Sequence, residues 1–289
     1  MLSYQHAYHA GNPADVHKHV ALVMLLARLR QKPAPFCFVD SHAGRGIYDL
    51  AGGEAQKTGE AAQGIVKLRQ ARIDSPAVRE YLELVATARD PSSTTDSRLR
   101  WYPGSAALAA AMLRDDDRGI FLEKHPRELE ALRKVLGRDR RIAIHDRDTF
   151  EGLPALLPPP IRRGLVLVDP SYEEKDEYRR IAALVANAFS RWSNGIFVVW
   201  YPLLPDGRER VLERELGEQA LPKTIVSRFR FSTTAVGLQG SGLVVVNAPW
   251  RFAAELDEAM TAVIAAICPD AGRHEIQGDD TETPLGQSA

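Results

Sequence analysis

Five short apolar runs constrain this chain more than any other feature. They cover 36–39, 119–122, 141–144, 165–168 and 195–200, and the first four each lead into an acidic residue: Asp40, Glu123, Asp146 with Asp148, and Asp169. Runs of this length bounded by turn residues read as buried strands. Helical periodicity fills 105–113, 125–136, 178–189 and 207–216 between them. Strand–helix alternation predicts an α/β fold with a mostly parallel sheet. In such sheets ligands bind just outside the carboxyl ends of the strands, where these acids fall.

The most specific of those ends is Asp169-Pro170-Ser171-Tyr172, after Leu165-Val166-Leu167-Val168. An Asp-Pro step after a strand is often only a turn. Here it also sets a carboxylate, a rigid loop and an aromatic ring side by side at a cleft mouth. Such a group suits a planar base with an exocyclic amine. Asp169 and the Pro170 carbonyl can each accept a hydrogen from NH2, while Tyr172 stacks on the ring.

The first helix has clear start and stop signals. Asn12 suits the N-cap, Pro13 the first position and Asp15 the positive dipole end; Pro33 and Pro35 stop the helix beyond about Arg30. The loop Asp40-Ser41-His42-Ala43-Gly44-Arg45-Gly46 brings glycines to the first strand end without forming GxGxxG. A nucleotide-type fold expects the next acid roughly 20 residues past such a loop. Glu123 comes about 60 residues later than that, so a small helical insertion is expected over about 54–103, from periodicity at 58–70 and 76–89. Further β stretches, about 225–231 and 242–246, flank Gly237 and Gly240. The polar segment 271–289 lacks periodicity and is expected to be a flexible tail on one domain spanning 1–270.

Composition removes several classes. A 45% hydrophobic, 26% charged chain can bury a real core. Two cysteines, Cys37 and Cys268, exclude a disulfide scaffold and a Cys-based zinc site, and fit a reducing cytosol. The N-terminus lacks a basic-then-apolar leader pattern, and its longest apolar run, 20–27, is too short to span a bilayer. A net charge of −1 argues against broad coating of nucleic acid but not against a local basic surface. Most of the 37 basic residues are arginine, the better phosphate partner, although a GC-rich genome gives the same bias. Nothing points to an obligate dimer, so a monomer is expected.

An acid after the second strand can grip ribose hydroxyls, and Asp148 can accept from a cofactor adenine amine. Singly, Glu123 and Asp148 read as caps or solvent-facing groups; their recurrence at successive strand ends does not. The set resembles the layout of class I, Rossmann-like methyltransferases that use S-adenosylmethionine (SAM). A redox dinucleotide calls for a pyrophosphate loop running straight into a helix, whereas this loop runs into the insertion. Five histidines, His6, His9, His17, His19 and His42, fall early in the chain. Their spacings match no strong zinc pattern, so no metal is expected. The N-terminal segment is instead expected to fold over the cleft, with His19 and His42 lining the cofactor pocket. Asn247-Ala248-Pro249-Trp250 mimics the amine-binding signature but follows the last strand, and reads as structural.

The opening Met1-Leu2-Ser3-Tyr4, with His9-Ala10-Gly11-Asn12, Ala14-Asp15-Val16 and Lys18-His19, resembles the start of the bacterial RlmJ family of 23S ribosomal RNA adenine-N6 methyltransferases. Asp40-Ser41-His42-Ala43-Gly44, Thr58-Gly59-Glu60, Tyr102-Pro103-Gly104-Ser105, Arg163-Gly164-Leu165 and Trp200-Tyr201-Pro202 extend the likeness in order through most of the chain. The resemblance implies a seven-stranded, mostly parallel sheet with a helical insertion, SAM as donor and one adenine of 23S rRNA as target. It implies cofactor contacts at His19, His42, Ser105, Glu123, Asp148, Thr149 and Asp169, and a proton acceptor at Asp169. Pro170 and Tyr172 complete the catalytic loop, and Tyr4 and Lys18 are expected to contact RNA. Ser171 replaces the second proline of the usual Asp-Pro-Pro-Tyr, and Thr149 stands where glycine is usual. Alternative readings are a DNA adenine-N6 methyltransferase, which calls for a larger recognition domain, and a non-catalytic RNA-binding protein, which would bind no SAM.

Overall fold

Leu165, Leu167, Val166 and Val168 are all fully buried, the two leucines in one core and the two valines in another on the opposite sheet face. That division is the period-2 consequence of a strand covered on both sides. The computed structural model describes residues 5–89, 100–232, 237–278 and 280 of the 289-residue chain. Helix α1 (Pro13–Arg30) leads into β1 (Cys37–Asp40). A two-stranded ribbon, β2 (Ile47–Asp49) with β3 (Trp101–Pro103), brackets α2 (Gly53–Thr58), α3 (Ile65–Gln70) and α4 (Pro76–Thr87). Then follow α5 (Ser105–Met112), β4 (Arg118–Leu122), α6 (Pro126–Leu136), β5 (Ile142–His145), α7 (Thr149–Leu156), β6 (Gly164–Val168) and α8 (Glu177–Arg191). The remainder is β7 (Ile196–Leu203), α9 (Glu209–Glu218), β8 (Ile225–Arg230), β9 (Gly240–Val246), α10 (Phe252–Ile267) and β10 (Arg273–Gly278).

The large sheet has the order β10-β8-β9-β7-β6-β1-β4-β5. From β5 to β7 every pairing is parallel; β9, β8 and β10 join antiparallel. Successive connections run one way from β1 to β5 and the other way from β6 onward, so β1 and β6 flank the topological switch point. There the connections leave the two strands toward opposite faces of the sheet, which opens a crevice.

Two sequence expectations change. The sheet has eight strands, not seven, because 273–278 is not loose tail. It pairs in full register with β8, from Arg273 opposite Arg230 to Gly278 opposite Ile225. An edge strand needs backbone pairing more than apolar bulk, and its polar composition hid it; Ile276 packs on the core and His274 turns inward beside it. Likewise β7 runs past Trp200 to Leu203, because β9 pairs alongside it. Gly242 makes that possible: a Cβ there would lie 2.1 Å from Tyr201 Cζ.

Helix α1 is buried almost all round, as expected for a helix inside a core rather than on a surface. Its cap matches the sequence signal: Asp15 N–H donates to Asn12 Oδ1 at 2.9 Å. Burial on all sides sends its successive polar side chains to different partners in the interior. Among the described residues no helix is long and apolar enough to cross a membrane.

The central strand predicts its own cost of change. Leu167→Ala should lower unfolding free energy by about 2–5 kcal/mol, as for other buried leucines, measured by urea denaturation. A loss below about 1 kcal/mol would mean that this strand is not the packed centre of the sheet.

Candidate active site

The carboxyl ends of β1, β4, β5, β6 and β7 open on a cavity of about 1040 Å³. That is at the upper end of ordinary ligand sites, with room for more than one small molecule. Its wall brings together His19, His42, Ser105, Glu123, Asp148, Thr149, Asp169, Pro170 and Tyr172, all selected from sequence. Tyr4 lies outside the described residues.

Lys18 lines the same cavity and is only 3% exposed. Its ammonium sits between Asp15 Oδ1 at 3.0 Å and Asp169 Oδ2 at 2.6 Å. Burial alone would lower the Lys18 pKa, but the two carboxylates outweigh it and hold it above its ordinary value. Burial would likewise raise Asp15; His6 and Lys18 outweigh that and keep it well below the usual carboxylate range. Asp15 Oδ2 also accepts from Gly11 N–H and meets His6 Nε2, both at 2.9 Å. Sequence reasoning gave Asp15 only a dipole role; the i,i+3 spacing to Lys18 was the available signal.

His19 and His42 are neutral donor–acceptors. Burial lowers His19 to about 3 and His42 to about 4. His19 Nδ1 lies 2.6 Å from the Tyr102 hydroxyl, which meets Tyr81 Oη at 3.0 Å. His42 Nδ1 pairs with Ser41 Oγ at 2.7 Å. Ser105 donates its hydroxyl to Asp40 Oδ2 at 2.7 Å, so Asp40 is its fixed partner. Burial raises Asp40 to about 7.

Glu123 accepts from Gly44 N–H at 2.8 Å and His125 N–H at 2.7 Å, which aims it across the glycine loop. Gly44 has φ +61°, and a Cβ there would lie 2.4 Å from Tyr48 Oη. Asp148 caps α7 by accepting from Phe150 N–H at 2.9 Å. Three buried polar atoms of cavity-lining residues, Thr149 Oγ1, His125 Nδ1 and Glu177 Oε2, have no hydrogen-bond partner among the described residues. Orphaned polar atoms in a cavity wall mark where a polar ligand completes the site.

Tyr172 adopts φ +53°, a conformation a bulky residue holds only when its surroundings enforce it. Its hydroxyl donates to the Trp200 carbonyl at 2.8 Å, and its ring stacks on Tyr178 with centroids 4.4 Å apart. Trp200, unmarked in the sequence reading beyond its motif, also lines the cavity, with Lys18 Nζ 5.3 Å from its ring centroid. The Asn247 amide is taken up by the Ser193 and Gly195 carbonyls at 2.7 and 2.8 Å, and none of the three residues lines this cavity.

A sheet of this order, with acids on successive strand ends around the switch point, defines a class I, Rossmann-like methyltransferase. The family model described as ribosomal RNA large subunit methyltransferase D, RlmJ, matches residues 33–278. The chain is 33% identical over 277 residues to ribosomal RNA large subunit methyltransferase J of Escherichia coli K12, covering 95% of this chain and 97% of that one. It is 33% identical over 273 residues to the protein of the same name from Haemophilus influenzae, covering 93% and 95%. A crystal structure of protein LPL1258 from Legionella pneumophila superposes with a TM-score of 0.84 at 33% identity, covering 94% and 98%. The chain belongs to the RlmJ family.

Asp40 gives the site a pH signature. Its folded pKa lies above its unfolded value, so its contribution to stability is full below about pH 4 and is lost as pH rises through about 7. Asp40→Asn removes that titration. Between pH 4 and 7 the wild type should lose stability relative to the variant by about 1.4 kcal/mol per pH unit at most, read from paired urea titrations. Parallel pH profiles would show that Asp40 does not titrate there.

Proposed function

We propose that this protein transfers a methyl group from SAM to the exocyclic N6 of one adenine in 23S rRNA. The observation that carries this reading is the shared cavity. The amine-gripping loop Asp169-Pro170-Ser171-Tyr172 and the acids Glu123 and Asp148 line one crevice, with Asp169 held by a buried ammonium. The RlmJ relatives, named as large-subunit rRNA methyltransferases, support the substrate class.

The wall fits a SAM molecule. Glu123 suits the ribose hydroxyls, Asp148 the adenine amine, and Thr149 and His125 offer polar atoms that lack partners among the described residues. Bound there, SAM supplies an electrophilic methyl group on a sulfonium. The protein's own task lies on the base. Adenine N6 is a poor nucleophile because its lone pair is delocalised into the ring. Asp169 and the Pro170 carbonyl accept the two amine hydrogens and localise that pair. Lys18 engages Asp169 Oδ2, which fixes the carboxylate in one orientation. As N6 becomes cationic, the adjacent carboxylate stabilises the charge and takes the proton. Alignment of the amine with the methyl group does most of the work. Extruding the base costs a few kcal/mol, partly recovered by packing on Tyr172. A ribosomal RNA substrate supports a cytoplasmic reaction, and we propose that the protein acts there as a monomer.

Asp169→Ala should keep SAM affinity within about tenfold, roughly 1.4 kcal/mol, by calorimetric titration, while methylation of naked 23S rRNA disappears. Retained turnover would remove Asp169 from the mechanism. Methylation of duplex DNA in preference to 23S rRNA would replace the substrate, and a wild type that binds no SAM would replace the activity.

A further inference from the structure

A chain of five hydrogen bonds runs from the cavity wall through the core to the far edge of the sheet. Trp200 Nε1 meets Ser241 Oγ at 2.9 Å, and Ser241 Oγ meets His17 Nδ1 at 2.9 Å. His17 Nε2 meets Ser227 Oγ at 2.8 Å, Ser227 Oγ meets His274 Nε2 at 2.8 Å, and His274 Nδ1 meets Asp257 Oδ1 at 2.8 Å. His17, Ser227 and Ser241 are fully buried. The reaction described above uses none of these side chains except through Trp200.

The two ends dictate the direction of every bond. Indole N–H is a donor only, and a carboxylate is an acceptor only. Ser241 therefore accepts from Trp200 and donates to His17 Nδ1. His17 donates from Nε2 to Ser227, which donates to His274 Nε2, and His274 donates from Nδ1 to Asp257. Each interior member spends one hydrogen and one acceptor, with both imidazoles neutral. Burial lowers both histidine pKa values, which agrees. A chain satisfied in one sense only is a rigid support, because turning any member leaves a buried group unpaired.

Its inner end is the Trp200 indole. That residue lines the cavity, receives the Tyr172 hydroxyl on its carbonyl and lies under the ammonium that holds Asp169. Tyr172 itself is nearly buried, with its ring stacked on Tyr178. We propose that the Trp200 indole is a second aromatic wall of the target-base site, and that Ser241 and His17 are positioning residues that fix its plane. This rests on the adenine-methylation reading above.

The test is fluorine NMR on the full chain labelled with 5-fluorotryptophan, with S-adenosylhomocysteine present and adenosine monophosphate as probe. The chain has four tryptophans, and Trp200→Phe identifies the relevant resonance. The nucleotide should shift the Trp200 signal and leave those of Trp101, Trp192 and Trp250 in place. Ser241→Ala should move or broaden that signal without the probe, lower kcat/KM for rRNA about tenfold and keep the SAM Kd within twofold. Should Ser241→Ala not fold, Trp200→Leu carries the same kinetic expectation. A Trp200 signal indifferent to the nucleotide, or unchanged kcat/KM in a folded variant, in an enzyme that still methylates rRNA, overturns the inference alone. A wild type without SAM binding or methylation overturns the underlying reading with it.

Discussion

One buried ammonium organises this molecule. Lys18 lies inside the protein only because Asp15 and Asp169 flank it. A lone charge at that depth is prohibitively costly, whereas breaking such a pair strands the remaining charges. Asp15 belongs to the first turn of α1 and Asp169 follows β6, so the ion triplet ties the N-terminal helix to the strand that delivers the reactive loop. The same contact serves chemistry, since a carboxylate fixed in one orientation is what an incoming amine needs.

The N-terminal helix is therefore a wall of the site. Three successive residues do separate jobs as the helix turns through the core. His17 enters the polar chain behind Trp200, Lys18 braces Asp169, and His19 faces Tyr102. Each is legitimate in the interior because each is paired or neutral. The glycines at the switch point serve the same end: Gly44 turns the loop so that its N–H meets Glu123.

Much of this was readable in the residues. Apolar runs ending in acids located the parallel strands and the crevice, because fully buried strands carry their pattern in composition and length alone. The N-cap of α1 was equally local. What escaped depended on tertiary context. β10 looked like tail because edge pairing leaves little apolar signature. The Lys18 ion pair was hidden because nothing in sequence shows Asp169 across 151 positions. Ser227, Ser241 and His274 are unremarkable until β8, β9 and β10 align beside α1.

The central claim is that Asp169 recognises an amine hydrogen. Its most direct measurement compares two nucleotides on the enzyme loaded with S-adenosylhomocysteine: adenosine monophosphate, and purine riboside monophosphate, which lacks only the exocyclic amine. The wild type should prefer the amine-bearing nucleotide by about tenfold or more, since an unpaired buried acceptor costs roughly that much, and Asp169→Ala should lose the preference. Equal preference in the two proteins would contradict the account.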